Sequence, residues 1–149
     1  MSVKRFTGNA NEVDEDVVEE EKRVKNIHPD SAPARLEQVS KVYGDVVAVK
    51  TISFGLEYGE CFALLGVSGA GKTTLFKCLT GEVFPSSGGI TIGGFDVSTV
   101  AGFQQARKKI GYCPQFDCIF QGLTVLEHLR IYASLKGIDP VIRERIIMN

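Results

Sequence analysis

The sequence predicts a mixed α/β fold in which a layer of antiparallel strands is followed by a strand, a glycine-rich loop and a helix. Short apolar segments separated by polar and glycine turns occupy residues 35–58, which is typical of antiparallel strands. An apolar run at 61–65 leads into the glycine-rich segment 66–74, and helical spacing begins directly after it. Amphipathic helical patterns follow from Thr124 onward. Together these observations indicate an α/β domain.

Residues 1–33 differ in composition from the rest of the chain and are predicted to form an acidic, Pro-containing linker. Seven acidic residues lie between Glu12 and Glu21, and prolines close the segment. Such clustered charge is typical of a solvated, partly helical segment. The folded domain is therefore expected to cover residues 34–149.

The first block of this domain is predicted to be a layer of short antiparallel strands. Leu36, Val39 and Val42 are apolar among polar neighbours, and the apolar runs 46–49 and 52–56 follow them. Glycines between the runs can adopt the backbone conformations that tight turns require. We expect one face of this layer to be buried.

A phosphate-binding pattern, G-x-x-x-x-G-K-[ST], is present at residues 66–74. Its glycines let consecutive backbone N–H groups turn toward a phosphate. The Lys72 ammonium supplies a charge for the β- and γ-phosphates, and the Thr73 hydroxyl can bind Mg²⁺. The predicted phosphate cradle consists of Gly66, Ser68, Gly69, Ala70, Gly71, Lys72, Thr73 and Thr74.

The elements on either side of this loop are those that a phosphate site needs. Residues 61–65 are predicted to be a buried parallel strand, and residues 74–80 a helix that ends at Gly81. A strand, loop and helix in this order place a bound phosphate at the positive end of the helix dipole. Nucleotide binding is therefore the predicted function of this part of the chain.

The elements after the loop are shorter. Residues 90–92 are predicted to be a strand of the same β layer, because glycine turns lie on both sides. A short polar helix is expected over 101–109, and a further strand over 109–113, which Pro114 ends.

Two helices are predicted near the C-terminus. Thr124 and Glu127 have the spacing of a capping box at the start of the first helix. Apolar residues at helical spacing follow and are expected to pack in the core. This stripe comprises Val125, Leu129 and Tyr132, with Leu126 and Ala133. Asp139, followed by a proline, is predicted to begin the second helix.

Composition restricts the class of protein. The chain has 149 residues, of which 44% are hydrophobic and 23% charged, as in an ordinary globular domain. A net charge of −1 gives no indication of a nucleic-acid partner. The longest apolar runs have about five residues, whereas roughly 20 are needed to span a bilayer, so direct membrane insertion by this segment is not expected.

Three segments, in this order, resemble the nucleotide-binding domain of an ABC transporter. Residues 41–44, Lys-Val-Tyr-Gly, resemble the aromatic loop whose Tyr stacks on adenine, and residues 66–74 resemble the Walker A loop. Residues 110–117, Ile-Gly-Tyr-Cys-Pro-Gln-Phe-Asp, resemble the Q-loop. The strings C-P-Q-F-D, G-E-C-F-A-L-L-G and L-T-V-L-E-H-L are most similar to subfamily A, a group of long transporters associated with lipids.

The resemblance implies a fold and a set of roles. The fold would be a P-loop NTPase of the ABC ATPase type, with an antiparallel β subdomain, the start of a helical subdomain and an incomplete core sheet. ATP and Mg²⁺ would be the cofactors, with Tyr43 stacking on the base. Lys72 and Gln115 would be catalytic, and Thr73 and Gln115 would bind the metal. The alternatives are that Tyr43 packs in the β core and that Gln115 is a polar surface residue.

The resemblance also implies partners and a location. The partners would be the transmembrane domain of the same transporter and a second nucleotide-binding domain, at the cytoplasmic face of a membrane. The acidic stretch 14–18 resembles the linker that precedes such a domain. The coupled activity would be ATP-driven transport, with lipids as a candidate substrate.

The later motifs of the family are absent from these 149 residues. After Gln115 there is no signature loop of the L-S-G-G-Q type, and no run of four apolar residues precedes an Asp-Glu pair as in Walker B. The chain is therefore expected to be the N-terminal part of such a domain and to be inactive as an ATPase by itself. A nucleotide-binding or regulatory fragment without turnover, or a soluble ABC ATPase, are the alternative functions.

Overall fold

The computed structural model describes residues 15–148, which divide into two units between Gly111 and Tyr112. The helices are α1 (Glu15–Asn26), α2 (Lys72–Leu79), α3 (Val100–Ala106), α4 (Val125–Leu135) and α5 (Pro140–Ile147), and the strands are β1 (Ala34–Tyr43), β2 (Val46–Gly55), β3 (Ser87–Ile92) and β4 (Phe95–Asp96). Among these residues, no helix combines the length and the apolar content needed to cross a bilayer.

The strands of the first unit form one antiparallel sheet in the order β2-β1-β3-β4. Leu36 of β1 lies opposite Phe54 of β2 and Ile90 of β3. The predicted antiparallel layer is therefore confirmed, although β2 is one strand of ten residues where the sequence suggested two short ones. Thr51 lies between the two apolar runs of β2, and its φ of +41° lies outside the β region.

The core of the first unit lies between this sheet and helices α2 and α3. Leu36, Val39 and Ile90 of the sheet are at most 1% exposed, as is Leu75 of α2. The other buried members of the cluster are Ala34, Val49, Phe54, Cys78, Ile92, Val97 and Ala106. Alternating burial along the strands shows that one face of the sheet covers this core.

Helix α1 is docked on the end of β2. Val24 is fully buried, and the Glu20 carboxylate, 6% exposed, accepts a hydrogen bond from the Gly55 backbone N–H at 3.1 Å. Arg23 donates to Glu20 and, at 2.6 Å, to the Gly55 carbonyl. Its hydrogen bond to the Glu20 carboxylate raises the pKa of Arg23.

The composition predicted a solvated segment here, whereas the structure has a helix docked on β2. Val24 and Glu20 face β2, and the charged residues around them in the sequence do not indicate this contact. Residues 1–14 lie outside the described residues, and the assignment of 1–33 as a linker and 34–149 as a domain stays a prediction.

The predicted strands at 61–65 and 109–113 are wrong. Neither segment forms a strand. Phe62 still stacks on Phe54, with ring centroids 4.9 Å apart, so part of the first segment packs against the core. A strand exists only through hydrogen bonds to a neighbouring strand, and a parallel sheet that could supply them is not present in the described residues.

The second unit, residues 112–148, contains α4 and α5. The capping box at Thr124 and Glu127 is confirmed, and Asp139 caps α5 as predicted. Arg130 of α4 forms a two-pronged ion pair with Glu144 of α5, at 2.9 and 2.7 Å.

The core role predicted for the apolar stripe of α4 is wrong within this unit. Val125 is 78% exposed, and Leu129 and Tyr132 are also exposed. The helical spacing identified the stripe correctly, but burial needs a second apolar surface. The described residues 112–148 provide α5 and an irregular segment, and these leave the stripe uncovered.

Candidate nucleotide site

The glycine-rich loop lies between the irregular segment 61–65 and the N-terminus of α2. Gly69 and Gly71 both have φ of +84°, in the left-handed region that favours glycine. A Cβ atom at Gly71 would overlap the carbonyl oxygen of Ala48 in β2. Gly71 is the N-cap of α2, so the absence of a side chain there lets the helix begin directly against the sheet.

The Lys72 side chain closes the loop on itself. Its Nζ atom donates to the carbonyl oxygens of Gly66 and Val67, at 2.6 and 2.8 Å. These bonds cross the loop from α2 back to its first residues, and the Ala70 N–H bonds the Val67 carbonyl at 3.2 Å. These hydrogen bonds hold the loop in a curved conformation, with the Lys72 ammonium next to the carbonyls of its first residues.

The start of α2 adds hydrogen-bond donors to this cation. The Leu75 N–H bonds the Gly71 carbonyl at 2.9 Å and begins the helical ladder. The N–H groups of the preceding helical residues therefore have no carbonyl partner within the helix, and together with the helix dipole they favour an anion. The chemistry of this site fits phosphate oxygens.

The remaining loop residues are accessible. Ser68, Ala70 and Thr73 are exposed, and Thr74 is half-buried. Thr73 follows Lys72 at the start of α2, so its hydroxyl could bind a metal ion that is also held by phosphate oxygens. Residues 15–148 contain no cluster of three or more His, Cys, Asp or Glu side chains that could bind a metal without a nucleotide.

Tyr43 lies at the end of β1 and is 43% exposed. Its ring faces the Lys41 ammonium, which is 5.0 Å from the ring centroid. Lys41 also donates to the Phe84 carbonyl at 2.7 Å, which fixes the ammonium in place. The ring is not enclosed in the β core, and it offers an aromatic surface for stacking.

Gln115 belongs to the second unit, where it is exposed in a segment without regular secondary structure. The predicted site residues are thus brought together in part. The loop residues and Lys72 are in direct contact, and Tyr43 lies in the same unit. Gln115 belongs to the other unit, residues 112–148.

One residue of the site could not be found from the sequence. Ala48 contributes its backbone carbonyl to the close packing at Gly71. No local pattern marks this position, because any residue offers a carbonyl and the contact joins segments that are far apart in the sequence.

Comparison with known families gives one match over most of the chain. The family model described as "ABC transporter" matches residues 49–147. This range includes the glycine-rich loop, Gln115 and both helices of the second unit.

Relatives with curated descriptions match nearly the whole chain. It is 44% identical over 131 residues to the human "Phospholipid-transporting ATPase ABCA3", which covers 84% of this chain and 8% of that protein. It is 42% identical over 135 residues to the bovine "Retinal-specific phospholipid-transporting ATPase ABCA4", covering 89% of this chain and 6% of that protein. The chain thus spans less than a tenth of the length of these relatives.

Solved structures resemble the fold. The ATP-binding subunit of an ABC transporter superposes with a TM-score of 0.67 at 30% identity, over 75% of this chain and 46% of that one. A dimeric ATP-binding cassette, MJ0796, solved in a post-hydrolysis state with ADP and Pi, gives a TM-score of 0.65 at 23% identity, over 77% and 54% of the two chains. The latter supports the fold alone.

Proposed function

This chain belongs to the ABC transporter family, and we propose that it binds Mg-ATP and contributes to ATP-driven transport of phospholipids. The fold predicted for it, that of an ABC ATPase, is shown by the solved structures that it resembles. The observation that carries the proposal is the glycine-rich loop, in which Lys72 spans the carbonyls of Gly66 and Val67 at the start of α2.

Binding of the triphosphate would use the groups that the loop already orients. Phosphate oxygens would compete with the carbonyls of Gly66 and Val67 for the Lys72 ammonium, since a charged acceptor forms the stronger hydrogen bond. The N–H groups of the loop and of α2 would hold the remaining oxygens. Tyr43 would stack on the base, an interaction that depends on the ring face and tolerates different bases.

Hydrolysis needs the γ-phosphoryl group held, a water molecule oriented and developing charge neutralised. Lys72 would stabilise the charge, and Gln115 would orient the water through its side-chain amide. A bound Mg²⁺, held by Thr73 and Gln115, would add charge neutralisation at the β- and γ-phosphates. These roles are carried over from the motifs at 66–74 and 110–117.

The names of the relatives support the proposed transport, partners and location. Two of them are named as phospholipid-transporting ATPases, which supports phospholipids as the transported class. A transmembrane domain of the same protein and a second nucleotide-binding domain would be the partners, with this chain at the cytoplasmic face of a membrane.

The second candidate function is nucleotide binding without turnover. Its support is that the 149 residues contain neither an L-S-G-G-Q-type loop nor an apolar strand ending in Asp-Glu. We expect the 149-residue polypeptide to bind ATP weakly and to hydrolyse it at the background rate. Steady turnover that Lys72→Ala abolishes would contradict this expectation.

The proposed function is tested in the intact transporter reconstituted in phospholipid vesicles. ATP hydrolysis, ATP affinity and movement of a fluorescent phospholipid are measured for the parent, Gln115→Ala and Gln105→Ala. Gln105 is an exposed glutamine of α3 and serves as the matched control. Gln115→Ala should lower turnover and lipid movement about tenfold or more while leaving ATP affinity nearly unchanged. Full turnover in Gln115→Ala would refute the catalytic role, and ATP hydrolysis without lipid movement would refute the substrate.

A further inference from the structure

The segment that follows Gln115 has no regular secondary structure of its own. Residues 117–120 form neither helix nor strand, and a turn at 121–122 leads into α4. Backbone N–H and C=O groups in such a segment need partners from elsewhere if the segment is to have one conformation. Side chains of α4 supply two of them.

His128 makes the most specific of these contacts. Its Nε2 atom accepts a hydrogen bond from the Phe120 backbone N–H at 2.8 Å. Its Nδ1 atom lies 2.9 Å from the Thr124 carbonyl oxygen. An acceptor at Nε2 and a carbonyl beside Nδ1 require the neutral imidazole with its proton on Nδ1. One ring therefore joins the irregular segment to the first turn of α4.

Two further contacts hold the same segment against α4. The Tyr132 hydroxyl, one turn further along α4, donates to the Cys118 carbonyl at 2.9 Å. The rings of Phe120 and His128 are stacked, with centroids 5.8 Å apart and planes inclined by 25°. Cys118 is three residues from Gln115, so the conformation available to Gln115 depends on where α4 holds this backbone.

We propose that His128 is a positioning residue for Gln115, acting by holding the backbone at Phe120 through its unprotonated Nε2 atom. This inference rests on the proposed role of Gln115 in hydrolysis. His128 touches neither the nucleotide nor the water; it restricts the conformations of the segment that carries Gln115 before substrate binds, so its loss lowers turnover and not ATP affinity.

Two substitutions distinguish the role of the His128 hydrogen-bond acceptor from that of its aromatic ring. His128→Phe keeps an aromatic ring beside Phe120 and removes both nitrogens, whereas His128→Gln removes the ring and keeps an acceptor of similar reach. Amide hydrogen exchange of this chain, followed by NMR, reads out the contact directly. The amide of residue 128, which bonds the Thr124 carbonyl, reports whether α4 is intact in each variant.

The Phe120 amide should exchange on the order of tenfold faster in His128→Phe, because it loses its hydrogen-bond acceptor, while His128→Gln should restore much of the protection. Equal protection of the Phe120 amide in the parent and in His128→Phe, with α4 intact in both, would overturn the inference.

The functional consequence is measured as ATP hydrolysis by the intact transporter. His128→Phe should lower kcat several-fold with KM for ATP unchanged, and His128→Gln should recover most of kcat. A parent-like kcat in His128→Phe would overturn the positioning role. Lys72→Ala is measured alongside as a test of the proposed function. If Lys72→Ala abolishes ATP binding while His128→Phe has no effect, the positioning role of His128 is refuted and the proposed function stands. If Lys72→Ala hydrolyses ATP normally, the proposed function is refuted.

Discussion

Gly71 joins two segments that are distant in the sequence. It begins α2, and the place of its missing side chain is taken by the Ala48 carbonyl of β2. The same residue needs a positive φ to turn the chain into the helix. Gly69 shares the positive φ but has open space around it, so the two glycines serve the loop for different reasons.

These two glycines provide a matched pair of substitutions. Gly69→Ala should cost roughly 1 kcal/mol of unfolding free energy, because only the left-handed backbone is strained. Gly71→Ala should cost about 2–4 kcal/mol, because the new methyl group also displaces β2 or α2. Urea denaturation of both variants measures the difference. Equal losses would contradict the close packing of Gly71 on Ala48.

The exposed ring of Tyr43 predicts that ATP affinity depends on an aromatic side chain at this position. Tyr43→Ala should weaken ATP binding by roughly 1–3 kcal/mol, whereas Tyr43→Phe should be nearly neutral, because stacking uses the ring face. ATP and GTP should compete with modest discrimination. Competition with a fluorescent nucleotide measures all of these affinities. An equal loss in both variants would assign the contact to the hydroxyl, and no loss in either would exclude stacking.

At the scale of the element, helix α4 begins with a reciprocal cap that also depends on pH. The Glu127 carboxylate accepts hydrogen bonds from the Thr124 backbone N–H and hydroxyl, both at 2.7 Å. The backbone bond from Thr124 is the main cause that lowers the pKa of Glu127 from its ordinary value of 4.5. The cap therefore requires the ionised carboxylate.

The sign of this pH dependence follows from the lowered pKa. Because the folded pKa lies below the unfolded one, the cap is fully formed above pH 4.5, and its contribution is lost as the pH falls through the lowered pKa. NMR titration of the Glu127 carboxyl should give a pKa below 4.5 in the parent. Thr124→Ala removes the hydroxyl's hydrogen bond and keeps the backbone one, so the pKa should rise only part of the way toward 4.5. The same pKa in both proteins would contradict the capping geometry.

At the scale of the whole molecule, the features that the sequence predicted correctly are local. The glycine-rich turn before α2, the helix itself and the capping box at Thr124 depend on residues within a few positions of one another. Antiparallel β1 and β2 were also predictable, because a turn at 44–45 joins them directly.

The features that the sequence could not predict depend on distant segments. The apolar run 61–65 has the composition of a buried strand, but strand pairing needs a neighbour that composition does not report. Docking of α1 through Glu20 and Val24 depends on Gly55 of β2. The contact of Phe120 with His128 likewise joins an irregular segment to a helix that begins after it.

Calorimetric titration of the chain with Mg-ATP determines whether the loop at 66–74 binds the phosphates of ATP. Lys72→Ala is compared with the parent and with Lys108→Ala, which removes the same charge from the exposed surface of the same unit. Lys72→Ala should lose roughly tenfold or more in affinity, because a hydrogen bond between charged groups is lost, while Lys108→Ala binds as the parent does. A folded Lys72→Ala protein with the parent's affinity would show that the loop does not hold the phosphates through Lys72.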